Sequence, residues 1–233
     1  MQQARAWDLP TRLFHWTLLA LVVLAWVSFR FAENLGDPLL KWHRWNGLGI
    51  LTLLVWRLAW GVFGSSTSRF ATFVASPRAA LVYAGALLAG NSRRYLGHNP
   101  LGGWMVMALL SVLAAQGMLG LFTVEHNDIA AGPLARLVGE AATKTASRWH
   151  HFVFDFVLLP LVAVHVAANI GYGIFKREPL IAAMITGRKP HAEYADGATA
   201  DIVDHPMLRA LLLLAVSAVL VLGTIRLLSG RFI

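Results

Sequence analysis

The 233 residues are 57% hydrophobic and only 14% charged, with a mean hydropathy of +0.59; a water-surrounded domain carries about 25% charged residues, so a soluble globule is excluded. The absence of cysteine rules out a disulfide, a thiolate zinc site, an iron–sulfur cluster, a covalently attached c-type haem and a cysteine nucleophile. The net charge of +8 sits on basic residues placed between apolar runs, which is the pattern of membrane topology and not of a nucleic-acid face.

A helix needs about 20 apolar residues to cross the hydrocarbon. Taken along the chain, the apolar runs predict spans over roughly 11–31, 43–63, 101–124, 150–175 and 207–228. The first run ends at Arg30, and the second, with Arg44 at its start beside His43, has one internal charge, Arg57. The third, Leu101 to Val124, has no Asp, Glu, Lys or Arg, and the fourth contains Pro160, where a kink is expected. The stretch 77–90 is too short to cross and reads as an interfacial helix opened by Pro77 and stopped at Asn91. Trp7, Asp8 and Pro10 stand where a signal peptide has its basic region, so the first span is not expected to be a cleaved signal. Pro190 to Asp204 is polar and is the one candidate for disorder.

Lys and Arg number 11 in the connections on the side of the N-terminus and 6 on the other, where Glu33, Asp37, Glu125, Asp128 and Glu140 also lie. The positive-inside rule then places the N-terminus in the cytoplasm and the C-terminus outside. The result is a single integral membrane domain over residues 1–233, all-α, with five spanning helices.

Strongly polar groups at membrane depth are costly and default to function. His15 lies near the cytoplasmic end of span one, His43 opens span two on the outer side, His151 opens span four, and His165 lies deeper in span four. His151 and His165 are 14 residues apart, roughly 21 Å along a regular α-helix and within about 40° of one face. Depth therefore pairs His15 with His165 and His43 with His151. Two imidazoles approaching from opposite sides suit the iron of a planar haem, whereas zinc or copper needs three or four converging ligands. His150 competes with His151 for the outer role. His98, His126, His191 and His205 fall in loops, where solvation is the ordinary state.

Arg57 is a candidate contact for the carboxylates of the cytoplasmic-side haem, with snorkelling to lipid phosphate as the alternative; Arg44 and Arg148 are candidates on the outer side. Asp155 lies one turn from His151, within reach of Arg148. Gly47, Gly49, Gly102, Gly103, Gly117 and Gly120 allow close approach of helices or of a macrocycle, with ordinary helix packing as the alternative.

With these residues placed, the chain resembles the bacterial cytochrome b-561 family of di-haem membrane cytochromes b, related to the cytochrome b subunits of nickel–iron hydrogenases, thiosulfate reductase and formate dehydrogenase. The resemblance is carried by Trp7-Asp8-Leu9-Pro10-Thr11-Arg12-Leu13-Phe14-His15-Trp16, Trp42-His43-Arg44, Arg57-Leu58-Ala59-Trp60-Gly61, Tyr95-Leu96-Gly97-His98-Asn99-Pro100, Val164-His165-Val166 and Met184-Ile185-Thr186-Gly187-Arg188-Lys189. It implies a four-helix transmembrane haem-binding bundle, to which the fifth, C-terminal helix is an addition that seals the bundle or binds a partner. It further implies two haem b, one on His15 and His165 and one on His43 and His151. A quinone, ubiquinone or menaquinone, is implied beside the cytoplasmic-side haem, with His98, Asn99 and Asn169 as candidate neighbours; the competing roles for these three are capping a helix or holding a propionate. The expected function is electron transfer across the bacterial inner membrane between the quinone pool and a periplasmic c-type cytochrome or an oxidoreductase subunit, with membrane lipid as surroundings and no nucleic-acid partner. A stand-alone superoxide:quinone oxidoreductase is the competing reading. A haem-free anchor is the weaker one, since an anchor has no need of four depth-matched imidazoles.

Overall fold

The computed structural model describes residues 3–32, 38–124, 131–197 and 201–230. His126, Glu33, Asp37, Glu125 and Asp128 lie outside the described residues. In a bilayer each backbone N–H and C=O must find its partner within its own segment, so long apolar runs wind into helices. Strand β1 (Gln3–Arg5) is followed by α1 (Leu9–Arg30), α2 (Pro38–Phe63), a short α3 (Phe70–Phe73), α4 (Pro77–Leu88) and α5 (Pro100–Gly120). Then come α6 (Glu140–Phe175), α7 (Leu180–Thr186), strand β2 (Arg188–Pro190) and α8 (Pro206–Ser229). Helices α1, α2, α5, α6 and α8 are long and apolar enough to cross a membrane, and three-quarters of the described residues are helical.

Helix starts follow local chemistry. Pro77, Pro100 and Pro206 each occupy a first helical position, where the missing N–H costs nothing. Asp8 caps α1 by accepting from Thr11 N at 2.7 Å, and Ser76 caps α4 by accepting from Ala79 N at 3.2 Å. Helix α4 ends in a Schellman turn: Asn91 N donates to Ala86 O at 3.0 Å across Gly90, whose φ of +74° suits a residue without Cβ.

Three expectations require correction. Span three stops at Gly120 and not at Val124, because the chain turns back on itself: Gly132 N donates to Thr123 O at 2.8 Å and Leu134 N to Leu121 O at 2.9 Å. The fourth span begins at Glu140, ten residues before the apolar run, because the polar Glu140–Phe152 stretch continues the helix with Glu140 in its first turn. Within α6, Val153–Leu158 is π-helical, with Leu159 N donating to Phe154 O. Pro160 brings no N–H and its ring crowds the carbonyl four residues back, and widening the preceding turn relieves both problems. A turn that takes up an extra residue breaks α-helical counting, so the 14-residue spacing of His151 and His165 does not translate into a shared face.

The chain divides into two compact units, and each of the five long helices contributes a stretch to both. The first comprises Met1–Leu13, Arg57–Leu109 and Leu161–Leu211. Its core holds Ala6, Trp7, Leu96 and Ala183, with Trp60 fully buried and donating from Nε1 to Thr11 Oγ1 at 3.1 Å. Strands β1 and β2 pair antiparallel, Ala4 opposite Lys189. The described part of the polar stretch after β2 is tied down and not loose. The Asp196 carboxylate accepts from Leu96 N at 2.6 Å and Gly97 N at 2.8 Å, and Asp201 N donates to Ser66 Oγ at 2.7 Å.

The second unit comprises Phe14–Trp56, Leu110–Pro160 and Leu212–Ile233. Leu48, Leu51, Leu121, Leu134 and Ile225 form its core, so α8 packs into this unit through Ile225 and Val221. A Cβ on Gly132 would stand 2.4 Å from the carbonyl oxygens of Gly120 and Leu121. Gly132→Ala is therefore expected to lower stability by about 1–3 kcal/mol, the usual cost of overpacking. Thermal unfolding in detergent checks this, and an unchanged midpoint would mean that the turn relaxes freely.

Candidate functional site

The second unit encloses a cavity of about 330 Å³ with a mainly apolar wall that includes His43, His150, His151, Arg30, Arg44 and Gly47. This volume is at the lower end of the range for cofactor pockets. His43, in the second turn of α2, donates from Nδ1 to the Ala25 carbonyl of α1 at 2.8 Å. That bond fixes the tautomer and leaves the lone pair on Nε2, as metal-ligating imidazoles require. The Phe29 ring lies 5.4 Å from the His43 ring and 5.5 Å from the His151 ring. Gly47 comes one turn after His43 on the same face, and a Cβ there would meet nothing within 4 Å, so α2 offers the cavity a bare surface below the imidazole.

His150 and His151 both reach the wall but are held differently. His150 donates from Nδ1 to Gln116 O at 3.0 Å and accepts at Nε2 from Gln116 Nε2 at 3.2 Å. The His150 and His43 rings are 6.2 Å apart. Arg30 in the last turn of α1 and Arg44 in α2 supply positive charge, and Arg44 Nε is buried without a hydrogen bond. Arg148 is exposed and is not part of the wall. Arg30 was missed in sequence because it reads as a span end, and only the fold brings it to the cavity. Asp155 also lines the wall, from the π-helical segment.

Two imidazoles, two arginines, a bare glycine surface and an apolar wall are the donor set that a haem with two carboxylates needs, and the buried Nε of Arg44 has hydrogen-bonding capacity to spare for one of them. The residues fit that group.

The first unit gathers the remaining candidates except His15, which belongs to the second unit, where its ring lies 5.0 Å from Trp16. Arg57 is only 3% exposed, with its guanidinium 4.9 Å from the centre of the Phe70 ring and 5.9 Å from that of Phe73. It does not snorkel to lipid, and its Nη1 has no hydrogen-bond partner. His98 is no solvated loop residue: its ring is set 4.8 Å from Trp7 and 4.5 Å from Phe73, and its Nδ1 is buried without a partner. Burial, then the charges of Arg57 and Lys189, push its pKa down to about 3 against an opposing hydrogen bond with the Thr67 backbone.

Asn99 caps α5, accepting from Gly102 N at 2.8 Å and donating to Tyr172 Oη at 3.1 Å. Tyr172 in turn meets Tyr83 Oη at 3.1 Å. Asn169 donates to His165 O at 2.7 Å, and its Nδ2 stands 3.3 Å from His165 Nε2. Lys176 Nζ is 3.3 Å from Glu178 and 2.8 Å from Ser92 Oγ. Sequence reading missed this tyrosine and ion-pair network, whose members come from α4, the end of α6 and the loops beside them, far apart in the chain.

A helical protein that lines an apolar cavity with imidazoles and arginines, on segments long enough to cross a bilayer, is a membrane protein of the haem-binding cytochrome class. The chain belongs to the family described as prokaryotic cytochrome b561, whose model matches residues 6–187. It is accordingly an integral membrane b-type cytochrome of electron transfer. The match ends before α8. No curated protein and no solved structure matches the chain.

Proposed function

We propose that this chain is a di-haem cytochrome b that carries electrons across the bacterial inner membrane between quinone and a periplasmic redox partner, with its N-terminus in the cytoplasm. The observation that carries the reading is the second unit's cavity, where His43 presents Nε2 because its Nδ1 is committed to Ala25. His43 and His151 would hold one haem, and His15 and His165 the other. When bound, each haem supplies a one-electron carrier. The chain's own residues do the rest.

Ala25 orients the His43 ring, and Arg30 and Arg44 would neutralise the two carboxylates of the outer haem, a role for which Arg148 is less well placed. The mainly apolar wall would lower the polarity around the iron. In the first unit, the Asn169 amide stands against His165 Nε2 and would have to turn away for that nitrogen to meet iron. Arg57, buried with an unfilled Nη1, would serve the carboxylates of the other haem. His98 and Asn169 remain quinone neighbours in this reading, while Asn99 acts through Tyr172.

The purified chain should contain two haems per polypeptide by pyridine haemochrome, both six-coordinate and both reduced on addition of a quinol. One haem or none per chain would sink the two-site reading, and two haems unreactive towards quinol would sink the quinone partner alone.

A further inference from the structure

We infer that His150 and Gln116 form a clamp that fixes the rotation of α6 and so aims the neighbouring His151 into the cavity, making both positioning residues for the outer haem. This rests on the proposed ligand role of His151. His150 spends both ring nitrogens on one residue of α5: Nδ1–H donates to the Gln116 carbonyl at 3.0 Å, and Nε2 accepts from the Gln116 side chain at 3.2 Å. One turn further along α5, Gly120 leaves room for the ring; a Cβ there would stand 3.1 Å from His150 Cε1. An imidazole gripped at two points and seated over a glycine has little freedom to turn.

The grip gains its importance from its place on the helix. The π-helical segment begins at Val153, three residues beyond His150. A turn that widens by one residue changes the angular phase of everything beyond it. A fixed point immediately before the segment holds the register on the ligand side. Adjacent residues on a helix differ by about 100° in direction, so pinning His150 to α5 also sets where His151 points. Gln116 is itself one of the residues that line the cavity, so the clamp stands beside the space the haem would occupy.

The test compares Gln116→Leu, His150→Phe, their double variant and His151→Phe in the full-length protein. It measures haem per chain, transfer of haem to apomyoglobin, the reduction potential of each haem, and the low-spin EPR signal, which depends on the angle between axial rings. His151→Phe should lose one haem. Gln116→Leu and His150→Phe should keep two six-coordinate haems, but release the outer one about ten- to a hundredfold faster, the usual cost of a lost outer-shell partner. They should also shift the potential and EPR signal of that haem alone. The double variant should match His150→Phe, which removes both bonds, while Gln116→Leu, which keeps the backbone carbonyl and removes only the side-chain bond, should show the smaller effect. Unchanged release and EPR signal in Gln116→Leu, with His151→Phe still losing a haem, would overturn the clamp and leave the ligand reading standing. So would effects that simply add in the double variant. Loss of a haem from His150→Phe and not from His151→Phe would make His150 the ligand. Retention of both haems in both histidine variants would overturn the cavity reading itself.

Discussion

Replacing His43 by alanine is expected to remove one of the two haems from the purified chain and to leave the other in place. The ring that the substitution deletes is held in place, since Nδ1–H donates to Ala25 O at 2.8 Å, and the residue lines the cavity. A substitute ligand is not readily recruited. The His150 ring is 6.2 Å away, but freeing it means breaking two hydrogen bonds with Gln116, each worth about 1 kcal/mol and more if a buried group is left without a partner. The expected signs are a halved haem count, loss of the corresponding step in the redox titration, and partial recovery when imidazole is added to fill the vacated space. Stability should fall with the haem, because a ligand present at a thousand times its dissociation constant contributes about 4 kcal/mol to the folded state. His165→Ala is expected to remove the other haem. Two haems retained in His43→Ala would show that the cavity in the second unit is not a haem site.

The contrast between the two halves of α6 shows what the sequence can and cannot carry. Apolar runs mark the five spans because hydrocarbon admits no other backbone arrangement. Prolines at 77, 100 and 206 mark helix starts because the ring suits only that position. The ten residues from Glu140 to Trp149 are helical and largely polar, so a rule that looks for apolar runs begins the helix late. The π-helical segment before Pro160 was invisible in another way: a kink was legible, but whether the helix bends or widens depends on what packs around it. That segment removes the phase argument that linked His151 to His165, and the ligand reading now stands on the cavity, on His43 and on the family. Arg57 obeys the same logic. Its place in a span was plain, whereas its enclosure by Phe70 and Phe73 requires α3 to fold back beside α2, which no local pattern announces. Asn99 is the opposite case, since an Asn-Pro pair at the start of an apolar run already spells a helix cap.

Acidification from pH 6.5 towards pH 4 is expected to destabilise the protein through His98, and His98→Gln is expected to remove much of that loss. His98 lies outside the spanning helices, packed between Trp7 and Phe73. Its pKa is lowered to about 3 by burial first and by the charges of Arg57 and Lys189 next. The unfolded chain binds the proton near pH 6.5, so between about 6.5 and 3 the unfolded state carries more protons than the folded one. Stability is therefore complete above pH 6.5 and declines as the pH falls through this window. The full shift would correspond to roughly 4–5 kcal/mol. The ring keeps some of its surface accessible, and solvent screening there reduces the expected loss to on the order of 2 kcal/mol by pH 4. Thermal unfolding in detergent between pH 7.5 and 4.5 reads the effect as a falling midpoint that is steeper in the wild type than in His98→Gln. Equal slopes would mean that His98 does not stay neutral in the fold. Arg57→Met supplies the electrostatic control. Removing the second-ranked cause lets His98 take up its proton at a higher pH, so the acid limb should level off sooner and the total loss should shrink. A limb unchanged by Arg57→Met would leave Arg57 without influence on this ring, with burial and the Lys189 charge as the remaining causes.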